Sequence, residues 1–461
     1  MNHRTNRVTM AQDLPHDIWD HVDATMGLSY TLGHSVADLI DNSIDANADT
    51  ASFWMRIESF PYPSGKSTEV LSFWLEDDGD GMDDPISSLG FQKRNKSYRD
   101  ADLGAFGVGL PSATMSQGYE VTVFTKKKGQ DPTSGRFSYI DMVEKKTAGE
   151  STPPQIYTHE ETKKLNSMYT ETDCYKKCND SIESREKGTI VLVQYLHKKQ
   201  YQSESPEGLV EIKNHAVDLL KAYLGLVFHH YISGVEFHAV DEGKNVRKKI
   251  QIKVQGKPVK PIDPLVRELD SSKKGGDIKG THIRVKDDAE AYVNNNLRTM
   301  KIVSALIPTG PPAANNMPKG HDEAMKKALL MLRGAADRVN CQGTYLYRNY
   351  RLIHFGDWNG VEVNKKGKMS PKLTATKQSC ARIGIYAPIG IVVNDPSAKL
   401  KGLRNDVSVN PSKTNMSFTS HAKKQIAKFY SMKFKWWKRY PQELQLTTAA
   451  EKRGGWDGAE Q

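Results

Sequence analysis

Asp38-Leu-Ile-Asp-Asn42-Ser-Ile-Asp45-Ala46 is the stretch on which the reading of this chain turns. Leu32, Val36, Leu39, Ile40 and Ile44 recur at helical spacing across residues 26–46, which predicts a helix with one apolar face. Asp38, Asn42 and Asp45 then group on an adjacent face. An acid and an amide four residues apart share one side of a helix. The acid can orient water and take its proton, while the amide oxygen can hold a hard cation.

Three further segments follow in order. Asp77-Asp-Gly79-Asp-Gly81-Met82 ends a predicted strand, 70–77. A carboxylate there can accept a hydrogen bond from an exocyclic amine, and the glycines let the backbone approach a flat base. Gly104-Ala-Phe-Gly107-Val-Gly109-Leu110-Pro-Ser112 is a glycine loop opening a short helix, which presents free N–H groups and a positive dipole end to phosphates. Gly188-Thr189 opens a β-branched strand, 188–196, whose threonine can add a hydroxyl under the base. Taken singly, each is weak. An Asp-x-Gly-x-Gly arises by chance in roughly one chain of this size in ten, and an Asp/Asn helix face is usually solvated surface. The order of all four, each on the element its chemistry needs, carries the reading.

Together these segments resemble the boxes of the GHKL ATPase superfamily, named for gyrase B, heat-shock chaperones, histidine kinases and MutL, over residues 20–197. The run LGAFGVGLPSATMSQG is similar to bacterial relatives of MORC ATPases, with type IIB topoisomerase subunits a more distant match. The resemblance implies an α/β sandwich of the Bergerat type that binds ATP with Mg²⁺, and a mobile lid over residues 82–112. It implies that Asn42 holds Mg²⁺ and that Asp45 sits near the nucleotide through its hydrogen-bond network. Asp77 would accept from the adenine amine, with Gly79, Gly81 and Met82 shaping the base pocket. Gly104, Gly107, Gly109 and Leu110 would wrap the phosphates, Ser112 would support that turn, and Thr189 would serve the adenine side. One departure stands out. The superfamily's water-activating base is Glu, and this chain has Asp38. Its carboxylate falls about an ångström short, a misplacement that can cost about a hundredfold in rate. Slow hydrolysis and a shifted backbone that restores the reach are both open.

The 461 residues predict about three domains of an α+β class. These are an ATPase domain over 1–197, a transducer-like domain over 205–415, and a basic aromatic helix and tail over 416–461. Residues 148–185 are polar and read as an insertion or long loop. In the middle part, 210–228, 287–307 and 322–339 read as helices. Segments 234–240, 250–254, 343–355 and 381–387 read as strands. GVEFHAV, IKVQGKPVKPIDPL and GTYLYRNYRLIHFGDW resemble the S5-type transducer of MutL and MORC-type proteins. Such domains supply a lysine to the γ-phosphate, for which Lys401 and Arg404 are the candidates. Over residues 421–440 seven basic residues, among them Lys423, Lys438 and Arg439, share a helical pattern with Phe429, Tyr430 and Trp437 and no acid. That element either docks its aromatic face and solvates its lysines, or meets nucleic-acid phosphates, a membrane surface or a protein.

Lys plus Arg number 65 against 55 Asp plus Glu, a net charge of +10 that fits an anionic partner without establishing one. No apolar run approaches membrane-spanning length, and the first fifteen residues lack the apolar core of a secretory leader. Cys174, Cys178, Cys341 and Cys380 have no zinc spacing and read as free thiols in a reducing, cytoplasmic setting. The resulting expectation is an ATP-gated homodimeric clamp on DNA, with a separate effector or nuclease protein as a candidate partner. A role in bacterial antiviral defence follows only by analogy. The alternative is a chaperone-like remodelling ATPase without nucleic acid. A sensor kinase is disfavoured, because about twenty residues upstream leave no room for a phosphoacceptor helix pair.

Overall fold

Thr31 sets where the decisive helix begins. Its hydroxyl accepts a hydrogen bond from His34 N, so the helix α1 runs over Leu32–Asp45 instead of starting at residue 26. The structure is a computed structural model. It describes residues 12–13, 24–27, 30–61, 67–90, 102–104, 109–149, 155–158, 160–161, 172–239, 243–266, 284–292, 299–306, 320–333, 343–357, 381–386, 407–409, 416–418, 422–423 and 426.

In chain order the elements begin β1 Gln12–Asp13, α1, β2 Thr50–Pro61, β3 Ser67–Asp77, α2 Pro85–Leu89, α3 Gly109–Met115, β4 Gly118–Lys126 and β5 Thr133–Ser138. They continue α4 Tyr139–Thr147, β6 Gln155–Thr158, α5 Asp173–Ser184, β7 Gly188–Leu196, α6 Pro206–Val227 and α7 His229–Ser233. Then come β8 Val235–Ala239, β9 Lys244–Lys248, β10 Gln251–Val254, β11 Lys257–Pro258, β12 Arg284–Tyr292 and β13 Thr299–Leu306. Last are α8 His321–Arg333, β14 Gly343–Arg348, β15 Arg351–Asp357, β16 Ala381–Tyr386, β17 Val407–Val409 and β18 Met416–Phe418. No helix among the described residues is long and apolar enough to cross a membrane.

The chain forms two compact units. The first comprises Met1–Tyr98, Leu103–Leu224 and Lys248–Lys260, and the second Arg99–Asp102, Gly225–Arg247 and Pro261–Gln461. This division differs from the expected boundary near residues 197–205. Most of α6 lies in the first unit, and β10 pairs in parallel with β2, from Gln251 opposite Thr50 to Val254 opposite Phe53. The edge of β2 is thereby covered by a later stretch of chain, which no local pattern announces.

A nine-stranded sheet, in the order β1-β6-β5-β4-β7-β3-β2-β10-β11, organises the first unit. Side chains alternate across it. Phe73, Leu75, Val121, Val123, Val191 and Val193 are buried on the face that carries α1, while Trp74, Phe124, Ile190 and Leu192 are buried on the other. Here the expectation of a loop over 148–185 is corrected. Residues 155–158 are a sheet strand, and α5 packs Cys174, Tyr175, Cys178 and Ile182 against Trp74, Phe124, Ile190 and Leu192. The polar composition hid one apolar stripe at helical spacing. Both cysteines are free thiols, and burial pushes the Cys178 thiol well up, which makes it inert. Cys341 and Cys380 lie outside the described residues. The described start of the expected lid, α2, buries Pro85, Ile86 and Leu89 and is N-capped by Asp84.

The second unit is built on a five-stranded sheet, β12-β13-β16-β14-β15. The predicted helix over 287–307 is corrected to the antiparallel pair β12–β13. Ile302, Val303 and Ala305 of β13 are buried, and β13 pairs with β16 on its other side. Pairing on both edges outweighs a helical pattern that rested on alanines and asparagines. Residues 343–355 are two strands joined at Asn349 and Tyr350, both with positive φ, 46° and 64°. That backbone suits the right-handed twist of a tight hairpin, and Asn tolerates it. Within this unit Arg348 Nη2 and Asn349 Nδ2 both donate to the carbonyl of Asp102, at 3.3 and 3.1 Å. Tyr347 stacks on Tyr386 at 4.4 Å. Of the expected C-terminal helix only Ala422, Lys423 and Ile426 are described, in helical conformation, with Ala422 and Ile426 buried.

Candidate active site

Helix α1 carries three of the candidate polar side chains, Asp38, Asn42 and Asp45. Asn42 is exposed, and Asp45 is partly buried. Asp38 is buried at 2% exposure and accepts a hydrogen bond from the phenol of Tyr30. Asp41 is fully buried.

Asp77 ends β3 under α1. Its carboxylate accepts from the Ser43 hydroxyl and from Gly79 N, both at 2.9 Å. Burial pushes its pKa up from 3.8 to about 6, and the Gly79 and Ser43 hydrogen bonds only partly oppose that. The residues after it tie the strand end to the helix end. Asp80 N donates to Ala46 O at 2.9 Å, and the Asp80 carboxylate accepts from Asn47 and Lys187 at 2.8 Å each. The Asp78 carboxylate accepts from Asp49 N and Thr50 N, each at 2.8 Å.

The glycines answer to specific neighbours. A Cβ on Gly79 would lie 2.9 Å from Ala46 O and 3.0 Å from Asp77 Oδ1. Gly81 has φ +74°, and a Cβ there would lie 2.4 Å from Lys126 O. Met82 N donates to Thr125 Oγ1 at 2.9 Å, and that hydroxyl lies 3.5 Å from Thr189 Oγ1. Thr189 pairs directly opposite Asp77 in the sheet. The base-side residues chosen from sequence, Asp77, Gly79, Gly81, Met82 and Thr189, therefore come together, with Ser43 and Thr125 added.

Among the described glycines, Gly188 packs tightest against backbone. Its φ is +136°, and a Cβ would lie 2.2 Å from Asp77 O. Gly188→Ala is expected to cost about 2–4 kcal/mol of stability, combining backbone strain with a backbone clash that has no room to relax. Gly129→Ala is the matched control, with φ +75° and nothing within 4 Å of the new methyl. It should cost only about 1–2 kcal/mol. Equal denaturant midpoints for the two variants would refute the packing argument.

Asp45 fastens the start of the glycine loop. Its carboxylate accepts from Leu103 N at 2.8 Å and Gly104 N at 2.7 Å, and Lys248 Nζ stands 3.6 Å away. A Cβ on Gly109 would meet no atom of the described residues within 4 Å. Leu110 is buried and Ser112 partly buried on α3. Helix α3 is held to α1 by Ser35, whose hydroxyl donates to Ala113 O. Gly107, Lys401 and Arg404 lie outside the described residues. A cavity of about 550 Å³ opens elsewhere, on the α5 face of the sheet among Arg56, Glu58, Trp74 and Lys177, and its lining contains none of the box residues.

Sequence reasoning missed Tyr30, Ser43 and Thr125. Thr125 was within reach, since it alternates in step with Val121 and Val123 and so faces α1. Ser43 sits inside the quoted stretch and reads as a neutral helix residue until Asp77 is placed beneath it. Tyr30 precedes the cap and belongs to no box.

Helices packed on a large mixed sheet agree with the α/β sandwich of a GHKL ATPase. Residues 30–172 match a family model described as histidine kinase-, DNA gyrase B-, and HSP90-like ATPase. The match agrees with the resemblance to GHKL ATPases that the four segments carry. Among curated proteins the chain is similar to Protein MICRORCHIDIA 5 of Arabidopsis thaliana, 29% identical over 163 residues, 33% of this chain and 22% of that protein. It is also similar to Protein MICRORCHIDIA 7, 30% identical over 118 residues, and Protein MICRORCHIDIA 6, 32% identical over 129 residues, both of the same plant. Those two matches cover 25% and 27% of this chain, and 16% and 18% of the relatives. The chain thus spans about a fifth of the length of the curated relatives it matches.

Proposed function

We propose that the chain binds ATP with Mg²⁺ between α1 and the sheet, hydrolyses it slowly, and uses ATP binding to pair two copies into a clamp on DNA. The observation that carries the nucleotide assignment is the buried Asp77 carboxylate, backed by Gly79 N–H and Ser43, beside a loop whose glycines exclude any side chain. A flat base with an exocyclic amine fits that acceptor. Asn42, exposed on the same helix face, offers a hard amide oxygen. Among the described residues no group of three His, Cys, Asp or Glu could hold a metal by itself. That suits Mg²⁺, which keeps its waters and takes one protein oxygen plus phosphate oxygens. When bound, the ion neutralises phosphate charge. Asp38 takes the proton of the attacking water, and Asp45 holds the start of the phosphate loop. By the resemblance to transducer domains, Lys401 or Arg404 would serve the γ-phosphate.

The clamp reading rests on the +10 charge and the run of lysines from Lys423 to Lys438. A setting in DNA transactions or antiviral defence rests on analogy with bacterial MORC-like proteins. With a non-hydrolysable ATP analogue at roughly tens of micromolar protein, sedimentation should show a dimer absent without nucleotide. DNA should raise turnover, and DNA affinity should fall steeply with salt and depend little on sequence. A monomer in every nucleotide state, with turnover indifferent to DNA, would leave a remodelling ATPase without nucleic acid.

A further inference from the structure

Tyr30 lies just outside the helix that carries the candidate base. It precedes the Thr31 cap, eight positions before Asp38. An α-helix rises about 1.5 Å per residue, so its side chain must run back along roughly two turns of α1 to reach that carboxylate. It does so, and its phenol donates to Asp38 Oδ2 with both groups buried, Tyr30 at 6% and Asp38 at 2% exposure.

The rest of the unit holds Tyr30 in that place. Its carbonyl accepts from Gln117 Nε2 at 3.0 Å and from Lys198 Nζ at 2.5 Å. Gln117 is itself fixed. Its side chain also donates to Ser116 Oγ at 3.0 Å, and its own carbonyl accepts from His197 N at 3.0 Å. Lys198 is half-buried, and burial lowers its pKa, a cost that its bond to the Tyr30 carbonyl helps offset. The Tyr30 ring lies 5.9 Å from that of His34, which meets Tyr223 edge-on at 6.0 Å. Two separate stretches, following α3 and β7, thus converge on one residue that belongs to no nucleotide box, while α6 reaches it only through the His34 ring.

We propose that Tyr30 is a positioning residue for ATP hydrolysis, locking the shortened Asp38 carboxylate in the one orientation from which it reaches the attacking water. The inference rests on Asp38 being the base. An aspartate replacing glutamate loses about an ångström of reach, and errors of that size cost about a hundredfold. A short side chain tolerates little further rotation, and a buried phenol removes rotational freedom without touching the nucleotide. Tyr30 therefore acts through Asp38 and contributes nothing to ground-state binding.

Three kinetic measurements test this. Tyr30→Phe keeps the ring and removes only the hydroxyl, and should lower kcat by roughly 10–100-fold with KM for ATP changed less than about threefold. Lys198→Met loosens the other end of Tyr30 and should lower kcat in the same manner, by roughly 3–10-fold. It decides the matter if Tyr30→Phe does not fold. Finally, adding Tyr30→Phe to Asp38→Asn should slow single-turnover hydrolysis no further, because the partner through which Tyr30 acts has already been removed. Wild-type kcat in both single variants, or an undiminished Tyr30→Phe effect in the Asp38→Asn background, overturns the proposal. If Asp38→Asn itself turns over ATP normally, the base assignment falls instead, which separates the two failures.

Discussion

Asp38→Asn should lower ATP turnover by about 10²–10⁴-fold, the usual contribution of a positioned general base, and leave ATP binding within a fewfold of wild type. The amide keeps the volume of the acid and can still accept from Tyr30, so the local packing survives. It cannot take a proton from water. Asp38→Glu tests the missing methylene directly. If the backbone of α1 stands where a glutamate's would, the longer acid reaches further and turnover rises. If the site has closed around the shorter one, Glu overpacks a position now 2% exposed, and both turnover and stability fall. Rapid equilibrium binding followed by single-turnover hydrolysis separates these outcomes. Wild-type turnover in Asp38→Asn would remove this residue from the chemistry.

Asp77→Asn should act in opposite directions on binding and on stability. Burial raises the Asp77 pKa from 3.8 to about 6. A carboxyl whose folded pKa is raised stabilises the fold fully below its unfolded value and loses that contribution as pH rises through about 6. At pH 7.5 the protein therefore carries a buried charge at a cost of about 3 kcal/mol. Asparagine carries none. Its oxygen can still accept from Gly79 N, and its amino group can donate to Ser43, whose hydroxyl already has Leu39 O at 3.2 Å as an acceptor. The unliganded fold should hold or gain stability at neutral pH.

The adenine amine, however, then meets an amide donor. Flipping the side chain only transfers the conflict to Gly79 N–H. Losing a hydrogen bond to a charged group costs about 1.5–3 kcal/mol, or about 10–100-fold in ATP affinity. Because the ionised acid is the acceptor, the ratio of wild-type to Asp77→Asn affinity should shrink between pH 7.5 and 5. Taking the ratio cancels the titration of the phosphates. Calorimetric titration at both pH values checks it. Equal wild-type affinity for ATP and GTP, or a ratio that does not move with pH, would sink the adenine role of Asp77.

Much of this site is legible along the chain because its chemistry sits in short, contiguous pieces. The face of α1 follows from apolar spacing, and Asp77 with its glycines marks a strand end where a backbone must come close to something flat. Residues 188–196 are read as a strand on β-branched content alone and are wholly buried in the sheet. The readings fail where a partner far along the chain decides. Residues 155–158 and 173–184 look like a polar insertion, yet they pair with β5 and cover Trp74. Residues 287–307 carry a helical pattern that two flanking strands override.

What the amino-acid order determined by itself was the identity and succession of the candidate binding groups: an acid and amide one helical turn apart, an acceptor before glycines, and a glycine loop before a helix. Hydrogen-bond capacity and backbone freedom belong to residues, and so they survive in a one-dimensional reading. Only the tertiary structure decided how each group is restrained. Ser43 backs Asp77, Asp45 clasps Leu103 and Gly104, Gly188 lies against the Asp77 carbonyl, and Tyr30, pinned by Gln117 and Lys198, turns Asp38. Except for the Tyr30–Asp38 pair, each of these contacts joins residues more than thirty positions apart in sequence. Their geometry is set by how strands and helices pack, a property no local pattern of residue types contains.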